Sequence, residues 1–255
     1  MDRWLGRVAV VSGASSGIGR AITKKLALRG LRVVGVSRRP HRVQSLSTEL
    51  KSKGASGEVF SIHGDVTKED DISKIVKWTK SSLGSVDVLV NNAGVFYQSP
   101  LRTLSTEKIR HLFDVNVVSL SVFTRQVLNE MMVNGIDDGH IINMNGIAGN
   151  RILDFQSGIH MYSATKHAVR VLSEGLRREL RDAGSNIRIT AINPGVVRTD
   201  LYEACGMTPE QVAKMFAEHQ AIEPEDVADA VEYALSVPPH VQIHDVTVQP
   251  VGQKP

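Results

Sequence analysis

The sequence is poor in several residue types that would mark particular protein classes. Its 255 residues include one cysteine, Cys205, which excludes an internal disulfide and a cysteine-based metal site and favours a reducing compartment, so we expect a cytoplasmic protein without a metal. Aromatic residues make up 5% of the chain, and its basic residues are scattered. Because nucleic-acid surfaces combine a basic stripe with aromatic stacking partners, the net charge of +3 does not indicate a nucleic-acid partner. No apolar run approaches the roughly 18 residues of a membrane-spanning helix, so we expect no membrane span.

The chain alternates instead between short β-branched runs and stretches with apolar residues at helical spacing. The runs predict seven strands, at 7–11, 31–36, 58–62, 86–90, 140–143, 187–192 and 243–248. Helical periods separate them at about 18–28, 41–53, 68–83, 106–134, 158–183 and 224–235. Such alternation predicts parallel strands joined by right-handed crossovers, with helices on both faces of the sheet. We therefore predict one doubly wound α/β domain over residues 1–255, built on a seven-stranded parallel sheet.

The segment at about 197–222 departs from this alternation because it is too long for a simple connector. Within it, Thr208, Pro209 and Gln211 predict a helix start with an N-cap, a first-turn proline and a capping-box glutamine. Enzymes of the α/β class often place such extra helices after a strand as lids, so we predict a small substrate lid. Its apolar side chains would suit an isoprenoid, steroid or aryl ketone, or would only anchor the lid helix: Leu201, Tyr202, Met207, Met215 and Phe216. The predicted pocket wall consists of residues 95–97, 146–159 and 199–216.

Three glycines, Gly13, Gly17 and Gly19, form the turn between the first strand and the first helix. Glycines at this place let the backbone approach a phosphate, and the helix N-terminus supplies unpaired N–H groups and a partial positive charge. The turn predicts a binding site for a dinucleotide pyrophosphate, the alternative being an ordinary glycine-rich turn.

A basic pair, Arg38 and Arg39, follows the second strand, and no acidic residue occurs between positions 31 and 48. An NAD site uses a carboxylate here to bind the adenosine ribose hydroxyls, whereas arginine suits the 2′-phosphate of NADP. The pair predicts a preference for NADP, unless it is only the solvated start of the next helix.

Tyr162 and Lys166 are four residues apart in a predicted helix and therefore lie on the same helix face. A positive charge within about 4–6 Å favours the ionised form of a phenol, which would make Tyr162 a usable general acid/base. Asn116 falls beside the apolar stripe of the helix at 106–134, where a buried amide needs a partner. It is either a satisfied core asparagine or the holder of a water in a proton path.

Together these residues resemble the short-chain dehydrogenase/reductase superfamily over the chain from Val8 to Val248. The motifs that carry the resemblance are Gly13–Gly19, Asp65-Val66, Asn91–Gly94, Asn116, Tyr162–Lys166 and Pro194-Gly195. A finer resemblance, carried by residues 137–143, 162–166 and 174–177, is to the NADP-dependent branch of broad-substrate carbonyl and steroid reductases that includes insect farnesol dehydrogenases. The family implies a Rossmann-type fold and a homodimer or homotetramer assembled through the helices at 106–134 and 158–183.

Carried over residue by residue, the resemblance implies a cofactor site and a proton path. The residues that would bind NADP are Gly13, Ser15, Ser16, Gly17, Ile18, Gly19, Arg38, Arg39, Asp65, Val66, Asn92, Ala93, Gly94, Tyr162, Lys166, Pro194, Gly195, Val197 and Thr199. Tyr162 would exchange a proton with the substrate oxygen, Lys166 would lower the pKa of that phenol, and Asn116 would hold a water that connects Lys166 to solvent.

The chain departs from the family pattern at Gly146, the position at which the family places its catalytic serine. That hydroxyl normally donates a hydrogen bond to the substrate oxygen, and the loss of one such donor typically slows a reaction by about 10²–10³. The neighbouring Asn145 would point to the other side of a strand and is a poor replacement. Ser157 and His160 are candidate substitutes.

Two functions follow from these residues. The first is an NADP-dependent oxidoreductase that interconverts an alcohol and a carbonyl on an apolar small-molecule substrate, with Tyr162 as general acid/base. The second is a non-catalytic or weakly active NADP-binding protein of the same fold. The presence of Tyr162, Lys166 and Asn116 favours the first, and Gly146 favours the second. We adopt the first because a missing donor slows an enzyme without necessarily stopping it.

Overall fold

Seven parallel strands form one sheet in the order β3-β2-β1-β4-β5-β6-β7. The computed structural model describes residues 1–152, 158–218 and 220–253. Its strands are β1 (Val8–Ser12), β2 (Arg32–Ser37), β3 (Glu58–His63), β4 (Val88–Asn91), β5 (His140–Met144), β6 (Arg188–Pro194) and β7 (Asp245–Val248). Its α-helices are α1 (Gly17–Leu28), α2 (Pro40–Ser52), α3 (Glu69–Leu83), α4 (Thr106–Phe113), α5 (Ser119–Val133), α6 (His160–Asp182), α7 (Leu201–Ala204), α8 (Pro209–Glu218) and α9 (Pro224–Ser236). The predicted doubly wound α/β class is confirmed, and predicted and observed strand ends differ by at most two residues.

The central strands are buried along their whole length because both sheet faces are covered. In β1, Val8 and Val10 pack into the core on one face, whereas Ala9 and Val11 pack into the core on the other. Successive side chains of a strand point to opposite faces, so a run of four apolar residues serves two cores. This explains why the parallel strands show continuous apolar runs rather than alternation.

The stretch predicted as one helix at 106–134 is two α-helices joined by a π-helical turn, Asp114–Val118. Two serine hydroxyls donate hydrogen bonds to backbone carbonyls of this turn. Ser119 Oγ donates to Val115 O at 2.5 Å, and Ser121 Oγ donates to Val117 O at 2.9 Å. Such π turns often lie at functional sites because they re-aim side chains, here that of Asn116.

The segment at 197–222 leaves the sheet and returns to its starting point. Its ends pair in an isolated parallel bridge between Val197 and Ile222, and α7 and α8 lie between them. The predicted capping box at the start of α8 is confirmed, since Thr208 N donates to Gln211 Oε1 and Gln211 N donates to Thr208 Oγ1. Over the described part of the chain, we find no helix with the length and apolar character needed to cross a membrane.

Candidate active site

A cleft runs along the carboxyl ends of the strands and includes the point between β1 and β4, where the strand order reverses. Open α/β sheets bind ligands at such a point. All of the residues that sequence analysis assigned to the dinucleotide line this cleft, and Gly146 lines it as well. Sequence reasoning did not assign Val36, Ser37, Gly64, Val115, Met144 and Asn145, which also line it. Most of these end a strand or directly follow one, so the strand-end rule could have found them.

The glycine turn leaves no room for side chains between the backbone and the cleft. Gly13 and Gly17 have φ values of +69° and +50°, which L side chains rarely adopt. A Cβ on Gly19 would overlap the carbonyl oxygen of Gly13 and the amide of Asn92. Ser16, the N-cap of α1, makes no side-chain capping bond, so the first N–H groups of α1 are not capped by it. The glycine turn and the start of α1 fit a pyrophosphate, because such an anion needs a backbone that approaches it closely and unpaired N–H groups.

The two arginines after β2 line the same cleft next to the glycine turn. Arg39 Nη2 lies 3.4 Å from Ser16 Oγ and 3.5 Å from Ser15 Oγ. Asp65 also lines the cleft, but its Oδ1 accepts hydrogen bonds from the backbone N–H and the hydroxyl of Thr67. The donors at this end of the cleft therefore suit a phosphate group.

Tyr162 and Lys166 project from successive turns of α6 at the other end of the cleft. The Lys166 side chain is buried, and its Nζ donates to Met144 O at 2.9 Å and lies 5.7 Å from the centroid of the Tyr162 ring. Burial lowers the pKa of Lys166 to about 8. The lysine therefore contacts the face of the ring and the end of β5.

The pKa of the Tyr162 phenol is raised in this arrangement, whereas the resemblance implied that Lys166 would lower it. Burial is the main cause, and the neighbouring Tyr202 and Cys205 add to it. The physical reason is desolvation, because burial removes the water that would stabilise the phenolate. Tyr162 is accordingly a protonated phenol at neutral pH.

Asn116 lies behind the cleft wall, in the π-helical turn, and is 2% exposed. Its Oδ1 accepts from Val95 N at 2.9 Å, and its Nδ2 donates to Val95 O at 3.0 Å and to Thr165 Oγ1 at 3.1 Å. The Thr165 hydroxyl in turn donates to Tyr162 O at 2.7 Å. These contacts satisfy the Asn116 amide, which ties the chain after β4 to the turn that carries Tyr162. Its place in a proton path stays a prediction.

Gly146, in the family's serine position, has φ of +99° and ψ of +155°, a conformation that is nearly exclusive to glycine. A Cβ built there would have room, since its nearest neighbours are Pro194 O and Tyr162 Oη, both at 3.8 Å. The difference from the family is therefore a backbone conformation as well as a missing hydroxyl.

Of the three residues considered as substitutes for that hydroxyl, the structure describes two, and neither is placed to replace it. Asn145 Nδ2 donates to Asn193 Oδ1 at 2.8 Å and is thus already used. His160 is exposed at the start of α6 and does not line the cleft. Ser157, like residues 153–156 of the predicted pocket wall, lies outside the described residues.

Aromatic and apolar side chains cover the Tyr162 end of the cleft. The Phe96 ring meets Tyr162 edge-on with centroids 5.1 Å apart, and meets Tyr202 of α7 at 5.9 Å. Phe96 N donates to the Cys205 sulfur at 3.1 Å, which fastens the chain after β4 to the segment at 197–222. Ile147 and Ile159 complete this apolar cluster. A substrate held here would meet few polar groups besides the phenols.

Comparisons with known proteins agree with this geometry. The family model described as short chain dehydrogenase matches residues 7–210. The chain is 43% identical to a farnesol dehydrogenase of Aedes aegypti, with 100% of both chains covered. It is 42% identical to dehydrogenase/reductase SDR family member 11 of Homo sapiens, covering 99% of this chain and 97% of that one.

Among solved structures, the closed form of a serine dehydrogenase complexed with NADP⁺ is similar, with a TM-score of 0.86 and 31% identity over 97% of this chain and 96% of that one. The fold, the cleft and these likenesses agree, and the chain belongs to the short-chain dehydrogenase family of oxidoreductase enzymes.

Proposed function

We propose that this enzyme uses NADP to interconvert a carbonyl and an alcohol on an apolar substrate. The observation that carries the proposal is the cleft itself, which joins the glycine turn and the two arginines after β2 to the side chain of Tyr162. Gly13, Gly17 and Gly19 would hold the pyrophosphate, while Arg38 and Arg39 would bind the 2′-phosphate. The NADP complex of the similar serine dehydrogenase supports this cofactor class.

The protein's own part in the chemistry is to place the substrate oxygen and to supply a proton to it. The bound dinucleotide would supply or accept the hydride at the carbon that carries this oxygen. Tyr162, whose pKa is raised by burial, is protonated at neutral pH and suits donation of its proton to a carbonyl oxygen. Lys166, with a pKa of about 8, can release and regain a proton close to neutral pH. We therefore propose that carbonyl reduction is favoured at neutral pH.

The substrate class follows from the apolar cover over Tyr162. Phe96, Ile147 and Ile159 are almost fully buried in the cluster there, and Leu201 and Met207 of the segment at 197–222 pack against it. Such a pocket binds hydrocarbon and excludes water, which suits isoprenoid, steroid or aryl carbonyls. The similarity to a farnesol dehydrogenase supports an isoprenoid in particular.

Turnover assays test the reaction. Purified protein is incubated with NADPH or NADH and with farnesal, a retinal, a keto steroid and an aryl ketone, beside a Tyr162→Phe variant. We expect NADPH-dependent reduction of at least one apolar carbonyl and its loss in the variant. Reduction that persists in Tyr162→Phe would refute the assigned proton donor.

Fluorescence titration of NADPH tests the cofactor preference. Arg39→Ser removes a charge-assisted contact to the 2′-phosphate, so we expect NADPH affinity to fall about 10–100-fold and NADH affinity to stay unchanged. The control is Arg178→Ser, which removes an exposed arginine of α6 that does not line the cleft. Equal affinity of the wild-type protein for both dinucleotides would contradict the preference.

A second candidate function is NADP binding with little or no catalysis, and Gly146 is the observation that favours it. The two functions separate in the same assays, because a binding protein would show tight NADPH binding and no turnover on any carbonyl. The retained Tyr162 and Lys166 both line the cleft, and this makes us place the enzyme first.

We further propose that the protein is a homodimer or homotetramer assembled through the helices at 106–134 and 158–183. Apolar side chains stand exposed on them, with Val118 50% exposed and Val171 72% exposed. Two side chains of this kind on contacting elements favour burial by a second copy.

A further inference from the structure

The missing serine hydroxyl raises the question of what else can hold the substrate oxygen beside Tyr162. We propose that the Tyr202 hydroxyl, from α7, donates this hydrogen bond and is a second catalytic residue. The inference rests on the proposed carbonyl reduction, and it goes beyond it by naming a donor that takes the place of the family's serine.

Tyr202 lies in the cleft that contains Tyr162. It lines the same cleft as Tyr162 and Gly146, and one ring, Phe96, stands between the two tyrosine rings in edge-on contact with each. On its other side, Tyr202 meets Phe216 of α8 edge-on, with centroids 5.7 Å apart. Edge-on aromatic contacts on both sides restrict the ring, so its hydroxyl is held in place rather than moving freely.

The hydroxyl of Tyr202 is available to donate a hydrogen bond. A phenol has one O–H to donate, and no hydrogen-bond partner for this one is found within residues 1–152, 158–218 and 220–253. The backbone N–H of Val197, itself a cleft residue, lowers the pKa of this phenol, but burial raises it by more.

The two phenols would have different roles in the reaction. During reduction, the hydride reaches the carbonyl carbon, the C=O π electron pair moves to oxygen, and that oxygen takes the proton of Tyr162. Tyr202 keeps its proton throughout and only stabilises the charge that develops on oxygen. Burial raises the pKa of Tyr202 to about 12, so it remains a donor over the working pH range.

Other side chains near the reacting position serve this role less well. The Cys205 sulfur accepts from Phe96 N, and a thiol is a weak donor. Asn145 is committed to Asn193, and His160 points into solvent rather than into the cleft. Among the described lining residues, Tyr202 is a neutral, partly buried phenol with a free proton, and one ring, Phe96, separates its ring from that of Tyr162.

The test is Tyr202→Phe, which keeps the ring contacts and removes only the hydroxyl. Its control is Tyr233→Phe on α9, where the side chain is 53% exposed. On the carbonyl that the wild type reduces best, we expect kcat to fall about 10²-fold in Tyr202→Phe, as for loss of one oxyanion donor. We expect KM to change less than threefold, and NADPH affinity and melting temperature to match the control.

A kinetic isotope effect separates catalysis from lid structure. With NADPH deuterated at the transferred position, loss of a transition-state donor slows the chemical step and keeps the isotope effect at or above the wild-type value, whereas a defect in motion of the segment at 197–222 or in product release lowers it. A kcat within twofold of wild type, or a slower rate with a smaller isotope effect, would overturn the role of Tyr202. Wild-type protein that reduces no carbonyl would instead refute the proposed function, and Tyr162→Phe assayed in parallel distinguishes the two failures.

Discussion

Replacement of Gly146 by alanine tests whether the backbone itself requires glycine at the family's serine position. With φ of +99° and ψ of +155°, the residue occupies a region that disfavours an L side chain by about 1–3 kcal/mol. Steric overlap adds little, because a Cβ would lie 3.8 Å from both Pro194 O and Tyr162 Oη. For a chain of this length, 1 kcal/mol shifts the melting temperature by about 2–4 °C, so we expect Gly146→Ala to lower it by about 2–12 °C.

A substitution at a second glycine is the control, and it should change the melting temperature in the opposite direction. Gly175 lies inside α6, has an ordinary helical φ, and a Cβ there would meet nothing within 4 Å. Alanine in a helix interior is more favourable than glycine by about 0.5–1 kcal/mol, so we expect Gly175→Ala to raise the melting temperature. Differential scanning calorimetry of both variants measures the pair. If Gly146→Ala melts at or above the wild-type temperature, the backbone adapts easily and the conformational reasoning is wrong.

The serine variant at the same position links stability to catalysis. Gly146→Ser carries the backbone penalty of the alanine variant, so we expect the two variants to melt at similar temperatures. Its hydroxyl would lie near Tyr162 Oη and could donate to the substrate oxygen, and kcat should exceed that of Gly146→Ala by about tenfold. Equal kcat for the alanine and serine variants would show that the added hydroxyl does not reach the reacting oxygen.

Three further outcomes are expected at other sites. Burial, Arg188 and Arg3 hold the pKa of His140 well below its usual value, so the folded protein keeps it neutral and loses stability as pH falls below about 6.5. Between pH 6.5 and 5.5, the unfolding free energy measured with urea should fall by about 1 kcal/mol more in wild type than in His140→Gln. An equal fall in the two proteins would contradict this. Asn116→Ala should lower the unfolding free energy by about 1–3 kcal/mol by orphaning its buried partners; a urea midpoint that stays in place would show that water takes over these contacts. Val171→Arg should shift the protein to a smaller species in size-exclusion chromatography, and an unchanged elution volume would exclude this helix face from the interface.

Local sequence patterns predicted the architecture well because they depend on properties of neighbouring residues. The apolar runs of β1 and β2 and the capping box at Thr208 are read from spacing and side-chain type, and both are present in the structure. The π-helical turn at Asp114–Val118 was not predicted, since its residues fit an ordinary helix and its Asn116 makes its contacts with segments distant in the sequence.

Some residues of the candidate site could likewise be predicted from the sequence, and others could not. Gly13, Gly17 and Gly19 could be recognised from the sequence because the turn between a strand and a helix demands positive φ values at the first two and the lack of a side chain at the third. The contact chain from Tyr162 through Phe96 to Tyr202 could not, because the three residues are far apart in sequence and meet only when α6, α7 and the chain after β4 pack together.

The sequence alone therefore established the family, the cleft-lining glycines and arginines, and the absence of a serine at position 146. Only the tertiary structure decided that Gly146 adopts a conformation that disfavours other residues and that burial raises the pKa of Tyr162. The physical reason is that residue type and spacing are properties of the chain, whereas desolvation and the contacts of a hydroxyl depend on what distant segments bring beside it.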